Sequence, residues 1–281
     1  MGETAMRLID LKHLGNERVI GSWLVGDVLI DPGPESCIET LLAGLEGVQP
    51  RVIALTHIHL DHAGGTGALL RRMPELEVWV HERGAPHLID PTKLLNSAGR
   101  LYGEHMKVLW GEVLPVPAER VRILKGGEQL DGFQVAYTPG HASHHVSYLH
   151  TESGTAFCGD TAGVRIVDEA PVVAPTPPPD IDPPAWRASL DTIEAWNPNA
   201  IVATHFGRYE DVAEHLRQMR RSLDAMERLA RTHDQEQFVA ELAKEFAAPA
   251  GGSAATAFQQ AMPAEQSYAG LRRYIEKSAA A

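Results

Sequence analysis

Apolar residues fall in short runs along the first two thirds of the chain and at helical spacing along much of the last third. Met6–Leu11, Val19–Val25 and Val28–Ile30 predict three strands, with Gly26-Asp27 as the hairpin turn between the last two. A helix is expected over Glu35–Leu45 with Gly47 at its end, followed by a strand at Val52. A helical stretch Ala68–Arg72 comes just after Gly64-Gly65, whose glycines permit close backbone approach at the helix start. Further strands are expected at Val78–Val80, Val121–Leu124, Gln134–Tyr137, Val146–Leu149 and Ala156–Cys158. Gly84–Trp110 interrupts them with helix-like character and reads as an insertion placed to cover a cleft. No sustained repeat is present. Early hairpins followed by α/β alternation fit two sheets covered on the outside by helices.

Residues Ala170–Pro184 include Pro171, Pro175, Pro177, Pro178, Pro179, Pro183 and Pro184, which argues against helix or central strand because each proline lacks a donor. A stiff loop is expected, either a wall of the substrate cleft or a surface connector. Beyond Asp211, the positions Val212, Leu216, Met219, Leu223, Met226 and Ala230 recur at separations near three and four, which predicts one long amphipathic helix. Phe238, Leu242 and Phe246 predict another, broken at Pro249–Ser253, and Leu271, Tyr274 and Ile275 a last short one. The expected organisation is a catalytic domain over 1–208 and C-terminal helices over 209–281. Those helices are expected to pack on the core, with a homodimer face or a substrate contact as alternatives.

The chain has 281 residues, 44% hydrophobic, enough to bury a substantial core. A formal net charge of -12 disfavours a broad phosphate-tracking surface, so no nucleic-acid partner is expected. The start lacks a basic region leading into an apolar segment, and no window approaches a membrane span, so a cytoplasmic protein acting on a small molecule is expected. Cys37 and Cys158 are the only cysteines and imply no disulfide framework. Cys158 is expected to be a buried thiol, not a ligand.

Chemistry concentrates in Thr56-His57-Ile58-His59-Leu60-Asp61-His62, which follows the apolar run Arg51–Leu55. Neighbouring imidazoles would repel one another if all were charged, so a divalent cation is the natural way to hold such a cluster. His141 in Thr138-Pro139-Gly140-His141, Asp160 in Cys158-Gly159-Asp160-Thr161 and His205 in Thr204-His205-Phe206-Gly207 each follow a short apolar run and open a glycine-containing loop. Sheets deliver ligands to one rim in this way. Seven nitrogen and oxygen donors exceed the four of a closed structural zinc site and suit an open two-metal site.

These residues resemble the metallo-β-lactamase-fold superfamily, whose pattern is H-x-H-x-D-H followed by separate His, Asp and His ligands. The likeness spans roughly Asp10 to Gly207 and includes Asp31-Pro32-Gly33, similar to an early D-x-G element. It implies an α+β fold, the four-layer αβ/βα sandwich, here with a C-terminal helical extension. It also implies that His57, His59 and His141 bind one metal, that Asp61, His62 and His205 bind a second, and that Asp160 bridges them. Asp31 would support the metal loop from behind the ligands. His145, in His141-Ala142-Ser143-His144-His145, resembles the second histidine of an H-x-x-x-H turn with a similar supporting role, set against a plain loop histidine. His144 is expected outside the site. His13, His81, His150, His215 and His233 are expected at the surface or in local hydrogen bonds. Within the insertion, Tyr102 is the preferred oxyanion or substrate contact, with packing as the alternative.

Two divalent cations are expected, zinc first, with manganese or iron as alternatives. They would share a water, lower its pKa toward about 7 and present hydroxide to an ester, thioester or lactone carbonyl. Asp61 would orient that hydroxide and pass a proton to the leaving group. The resemblance sets a bridging aspartate against true β-lactamase activity and points to the glyoxalase-II-like and lactonase-like branch. The lactonases' tyrosine soon after that aspartate is absent, since Ala162–Asp168 contains none. Phosphodiester cleavage on a small substrate, an iron-dependent redox reaction and a metal-stabilised binding module are the alternatives.

Overall fold

A computed structural model describes residues 4–247 and 252–280. Strands β1 (Met6–Asp10), β2 (Gly21–Val25), β3 (Val28–Ile30), β4 (Val52–Ala54), β5 (Glu77–His81) and β6 (Val121–Leu124) form one sheet in sequence order. The first two pairings are antiparallel and the next three parallel, with Ile30 opposite Ala54 and Ala54 opposite Trp79. Strands β7 (Gln129–Leu130), β8 (Phe133–Tyr137), β9 (Val146–His150), β10 (Thr155–Phe157), β11 (Ala200–Val202) and β12 (Arg208–Tyr209) form the second sheet, in order β12-β11-β10-β9-β8-β7.

Side chains alternate across each strand, and the alternation builds the layers. Trp23, Val28, Ile30, Val52, Trp79, Phe133, Tyr148 and Phe157 meet between the sheets. Leu24, Leu29, Ile53 and Val78 point the other way into the helical layer, as do Leu149, Ala156 and Ile201 from the second sheet. Two sheets with helices outside both make the expected four-layer α+β sandwich.

The helices are α1 (Ile38–Gly44), α2 (Leu60–Ala63), α3 (Thr66–Arg72), α4 (Ala85–Ile89), α5 (Thr92–Tyr102), α6 (Met106–Trp110), α7 (Pro183–Ala195), α8 (Val212–Thr232), α9 (Gln235–Leu242), α10 (Gly252–Ala261) and α11 (Ala264–Ala280). The insertion after β5 is therefore α4–α6. The proline-rich segment is corrected at its end: Pro183 and Pro184 open α7, since a proline in the first turn gives up an N–H with no intrahelical partner anyway. Asp182 caps that helix by accepting from the Ala185 amide at 3.1 Å. Helices α7 and α10 and the two-residue strands β7 and β12 had no counterpart in the sequence pattern, and α11 is longer than the short helix expected. The side chain of Phe246 and most of the break at Pro249–Ser253 lie outside the described residues. Leu216, Met219, Leu223 and Met226 of α8 are buried in the same core as Trp186, Leu190 and Ile193 of α7.

Candidate metal centre

Four loops at the ends of strands converge on one rim. The loop after β4, continuing into α2, carries His57, His59, Asp61 and His62; the β8–β9 loop carries His141; Asp160 follows β10 and His205 follows β11. Gly159 adopts φ +47°, and a Cβ there would lie 2.5 Å from Thr56 Oγ1 and 2.8 Å from His145 Nε2, so only glycine brings Asp160 in beside the heptapeptide. Donor atoms of His57, His59, His141 and Asp160 lie within 4.8 Å of one another, and those of Asp61, His62 and His205 form a second such group. Asp160 faces both: Oδ2 is 3.2 Å from His141 Nε2, while Oδ1 is 3.2 Å from His62 Nε2 and 3.5 Å from His205 Nε2.

Hydrogen bonds on the far side of each ring fix which nitrogen faces this centre. His62 Nδ1 donates to Asp31 Oδ2 at 2.9 Å, His141 Nδ1 to the Pro175 carbonyl at 2.9 Å and His205 Nδ1 to the Val19 carbonyl at 2.6 Å. Partners that only accept require the proton on Nδ1, so Nε2 keeps its lone pair. His57 follows suit, because Thr56 Oγ1 donates to Asp31 at 2.7 Å and accepts from His57 Nδ1 at 3.1 Å. His59 turns its Nδ1 inward, 2.9 Å from His141 Nε2. The Nε2 atoms of His57, His62 and His205 and Oδ1 of Asp160 are buried with no hydrogen-bond partner. Convergent lone pairs and carboxylates without donors between them fit divalent cations.

The electrostatics agree. Burial, then the neighbouring imidazoles, holds His57 well below the ordinary histidine range and brings His59 down to about 4. Burial opposes charge on His62 too, yet Asp160, Asp61 and Asp31 around it raise its pKa well above the ordinary value. Burial would also raise Asp61 and Asp160, but His62 beside them holds both below the carboxylate range. The carboxylates thus call for positive charge at the centre, which a bound cation would supply while leaving the His62 Nε2 lone pair free.

Asp31 stands behind the ligands at φ +48°, accepting from the Thr56 amide at 2.8 Å, Thr56 Oγ1 at 2.7 Å, His62 Nδ1 at 2.9 Å and Thr204 Oγ1 at 3.0 Å. His145 stacks on His57 with ring centroids 5.0 Å apart, and its Nδ1 meets Thr138 and Thr161 hydroxyls. His144 stands against the site, corrected from the expectation that it lies outside: its ring is 5.7 Å from that of His59, and the Ile58 amide donates to its Nδ1 at 3.4 Å. Cys158 is a buried free thiol, its pKa pushed up to about 12 by burial.

A cleft of about 560 Å³ opens onto His59, Asp61 and Asp160. Pro175, Pro177, Pro178 and Pro179 line it, so the proline-rich loop is a cleft wall. Tyr102 lines it too, packed edge-on against Trp110 at 5.1 Å with its hydroxyl 3.5 Å from Gln266 Oε1. His13, expected at the surface or in a local hydrogen bond, is 3% exposed and hydrogen-bonded across the fold: it lies flat on Trp110 at 5.5 Å and bonds the Leu109 carbonyl at 2.9 Å through Nε2. Sequence reasoning also passed over Thr56 and Thr204. Both precede a candidate ligand in a Thr-His pair at a strand end, a doublet that could have marked them.

Comparison with known proteins follows the same outline. The sequence model of the Metallo-beta-lactamase superfamily matches residues 17–205. A metallo-beta-lactamase fold-containing protein of Sulfurisphaera tokodaii is 34% identical over 59% of this chain and 65% of its own length. A hydroxyacylglutathione hydrolase of Hamiltonella defensa is 32% identical over 56% of this chain and 51% of its own. The match thus spans about half to two thirds of those two relatives. In structure, an archaeal metallo-beta-lactamase superfamily protein from Sulfolobus tokodaii superposes with TM-score 0.71 over 96% of this chain and 98% of that one, at 23% identity. A second solved structure, described as a di-iron-bound form, gives TM-score 0.56 over 78% of this chain and 96% of that one, at 28% identity.

Proposed function

Because the chain belongs to the metallo-beta-lactamase superfamily, we propose that it is a metal-dependent hydrolase of esters, thioesters or lactones. His57, His59 and His141 would hold one divalent cation, Asp61, His62 and His205 a second, with Asp160 between them. The observation that carries this reading is Asp160, whose two oxygens each face a different histidine set. The name of the hydroxyacylglutathione hydrolases supports thioester or ester chemistry, and the di-iron neighbour supports a two-metal centre in which iron stands beside zinc and manganese. When bound, such cations supply Lewis acidity at the carbonyl and acidify a water near neutral pH.

The chain's own residues then have defined tasks. Asp61 is the carboxylate of the cluster open to the cleft, with its side chain 22% exposed. Held ionised by the histidines around it, it is a hydrogen-bond acceptor placed to orient the attacking water and to relay its proton. Water adds to the carbonyl carbon, the C–S or C–O bond breaks, and the proton relayed by Asp61 goes to the departing sulfur or oxygen. Asp31 fixes the His62 tautomer so that Nε2 points to the centre. The cleft, reaching Asp61 from solvent, supports turnover over a closed, purely structural site.

The test is metal analysis of the purified protein combined with turnover of a thioester, a lactone and bis(p-nitrophenyl) phosphate, in air and under argon. Metal-dependent cleavage of a carboxylic substrate without oxygen is expected. Exclusive phosphodiester cleavage, a requirement for oxygen, or no metal-dependent turnover would overturn the reading.

A further inference from the structure

The walls of the cleft carry information about the substrate that the metal-facing residues do not. His59, Asp61 and Asp160 line the cleft together with the apolar Leu94, Ala98, Leu109, Trp110, Met262 and Pro263 and the prolines after Pro175. Segments far apart in sequence build it: the His13-Leu14 turn, α5 and α6 of the insertion, the proline-rich loop, and α10 with α11. Of the polar groups in the wall, His13 Nε2 bonds the Leu109 carbonyl and the Tyr102 hydroxyl faces Gln266, while His13 Nδ1, Trp110 Nε1 and Gln260 Oε1 are buried without a partner among the described residues.

Leu14 and Leu101 are 45% and 40% exposed at the cleft, among the few large apolar side chains left to solvent. Leu14 moreover holds φ +53°, a left-handed conformation that a leucine adopts at a cost. Strain that keeps an apolar side chain in water is sensible where a ligand covers it. The cationic side chains in the lining are Arg100 and Arg273, both exposed. Those two arginines could meet the carboxylates of a peptide thiol, whereas the buried side chains of the lining are chiefly apolar and match an alkyl or aryl-alkyl chain.

We propose that the substrate is an ester or thioester whose bulk beside the scissile bond is a medium-length alkyl or aryl-alkyl group, seated between Trp110, Leu14, Leu101 and Met262. This rests on the hydrolase reading above and assigns its substrate class. The volume of about 560 Å³ is that of a site for a drug-sized ligand, and each buried methylene contributes roughly threefold to fourfold in affinity.

The experiment measures kcat/KM of the metal-loaded protein for S-acetyl- and S-octanoyl-N-acetylcysteamine and for S-lactoylglutathione, with calorimetric titration of octanoate alongside. The octanoyl thioester should exceed the acetyl one by at least about a hundredfold and exceed S-lactoylglutathione as well. Leu14→Asp and Leu101→Asp should each cut the octanoyl-to-acetyl ratio at least about fivefold and weaken octanoate binding. Both sites are exposed, and aspartate tolerates positive φ better than leucine, so folding is not at stake; circular dichroism checks it. Hydrolysis with no chain-length dependence, or preference for S-lactoylglutathione, would overturn this inference and leave the hydrolase reading intact. Octanoate binding sensitive to both variants, with no hydrolysis of any ester or thioester, would uphold the apolar pocket and sink the hydrolase reading.

Discussion

At the scale of single residues, the centre is organised as much by what stands behind the ligands as by the ligands. Asp31 receives four hydrogen bonds inside a buried pocket, and an amide in its place cannot accept them all. Asp31→Asn should cost about 2–4 kcal/mol in urea unfolding and weaken metal retention by about 10–100-fold in chelator competition. Asp61 offers the contrasting case. Asp61→Asn keeps an oxygen donor toward the centre but removes the proton acceptor, so kcat should fall by about 10²–10³ with metal content by mass spectrometry little changed. Full turnover in that variant would end the role assigned to it. Much of this was legible, because the heptapeptide and its three outlying partners sit in recognisable loops. His13 was not: nothing in Lys12-His13-Leu14 separates a surface histidine from one that a distant helix covers.

At the scale of elements, two packing constraints hold the outlying ligands. Gly140 precedes His141 at φ +133°, and a Cβ there would lie 2.3 Å from the Cα of Trp186 in α7. Gly140→Ala should therefore push α7 away, costing about 3 kcal/mol or more in thermal unfolding and loosening His141, read as reduced metal occupancy. Helix α8 does the same for the Asp160 loop through His215, which donates Nε2–H to the Ala162 carbonyl at 2.8 Å. Burial lowers its pKa to about 4. Because the folded value lies below the unfolded 6.5, the unfolded chain takes the proton first as pH falls. Stability is then full above about 6.5 and lost progressively toward 4, by up to a few kcal/mol. His215→Gln should flatten that part of the stability-versus-pH curve; an unchanged slope would remove His215 from its cause. Strands with several alternating residues were readable, and so was α8. The two-residue strands and α7 were not, since a pairing of two residues has no period and the start of α7 is hidden among prolines.

At the scale of the whole molecule, the C-terminal helices are part of the fold. Leu216, Met219, Leu223 and Met226 are fully buried, and at about 1.5–3 kcal/mol each their loss rivals the 5–15 kcal/mol that stabilises a typical domain. A chain ending at residue 208 should lack a cooperative thermal transition, and one with native near-ultraviolet circular dichroism would show that the sandwich stands alone. Chelation of metal from the intact chain should lower the melting temperature, since a ligand at a hundred times its Kd stabilises by about 2.7 kcal/mol. The sequence by itself determined the layers and the ligand-bearing loops, because both follow from local patterns: alternation along strands and histidines at strand ends. Only the tertiary structure decided which carbonyls and carboxylates set the tautomers, and that α5, α6, α10 and α11 meet over Asp61 as an apolar cleft. Those depend on the directions in which distant segments pack, which no spacing within a segment records.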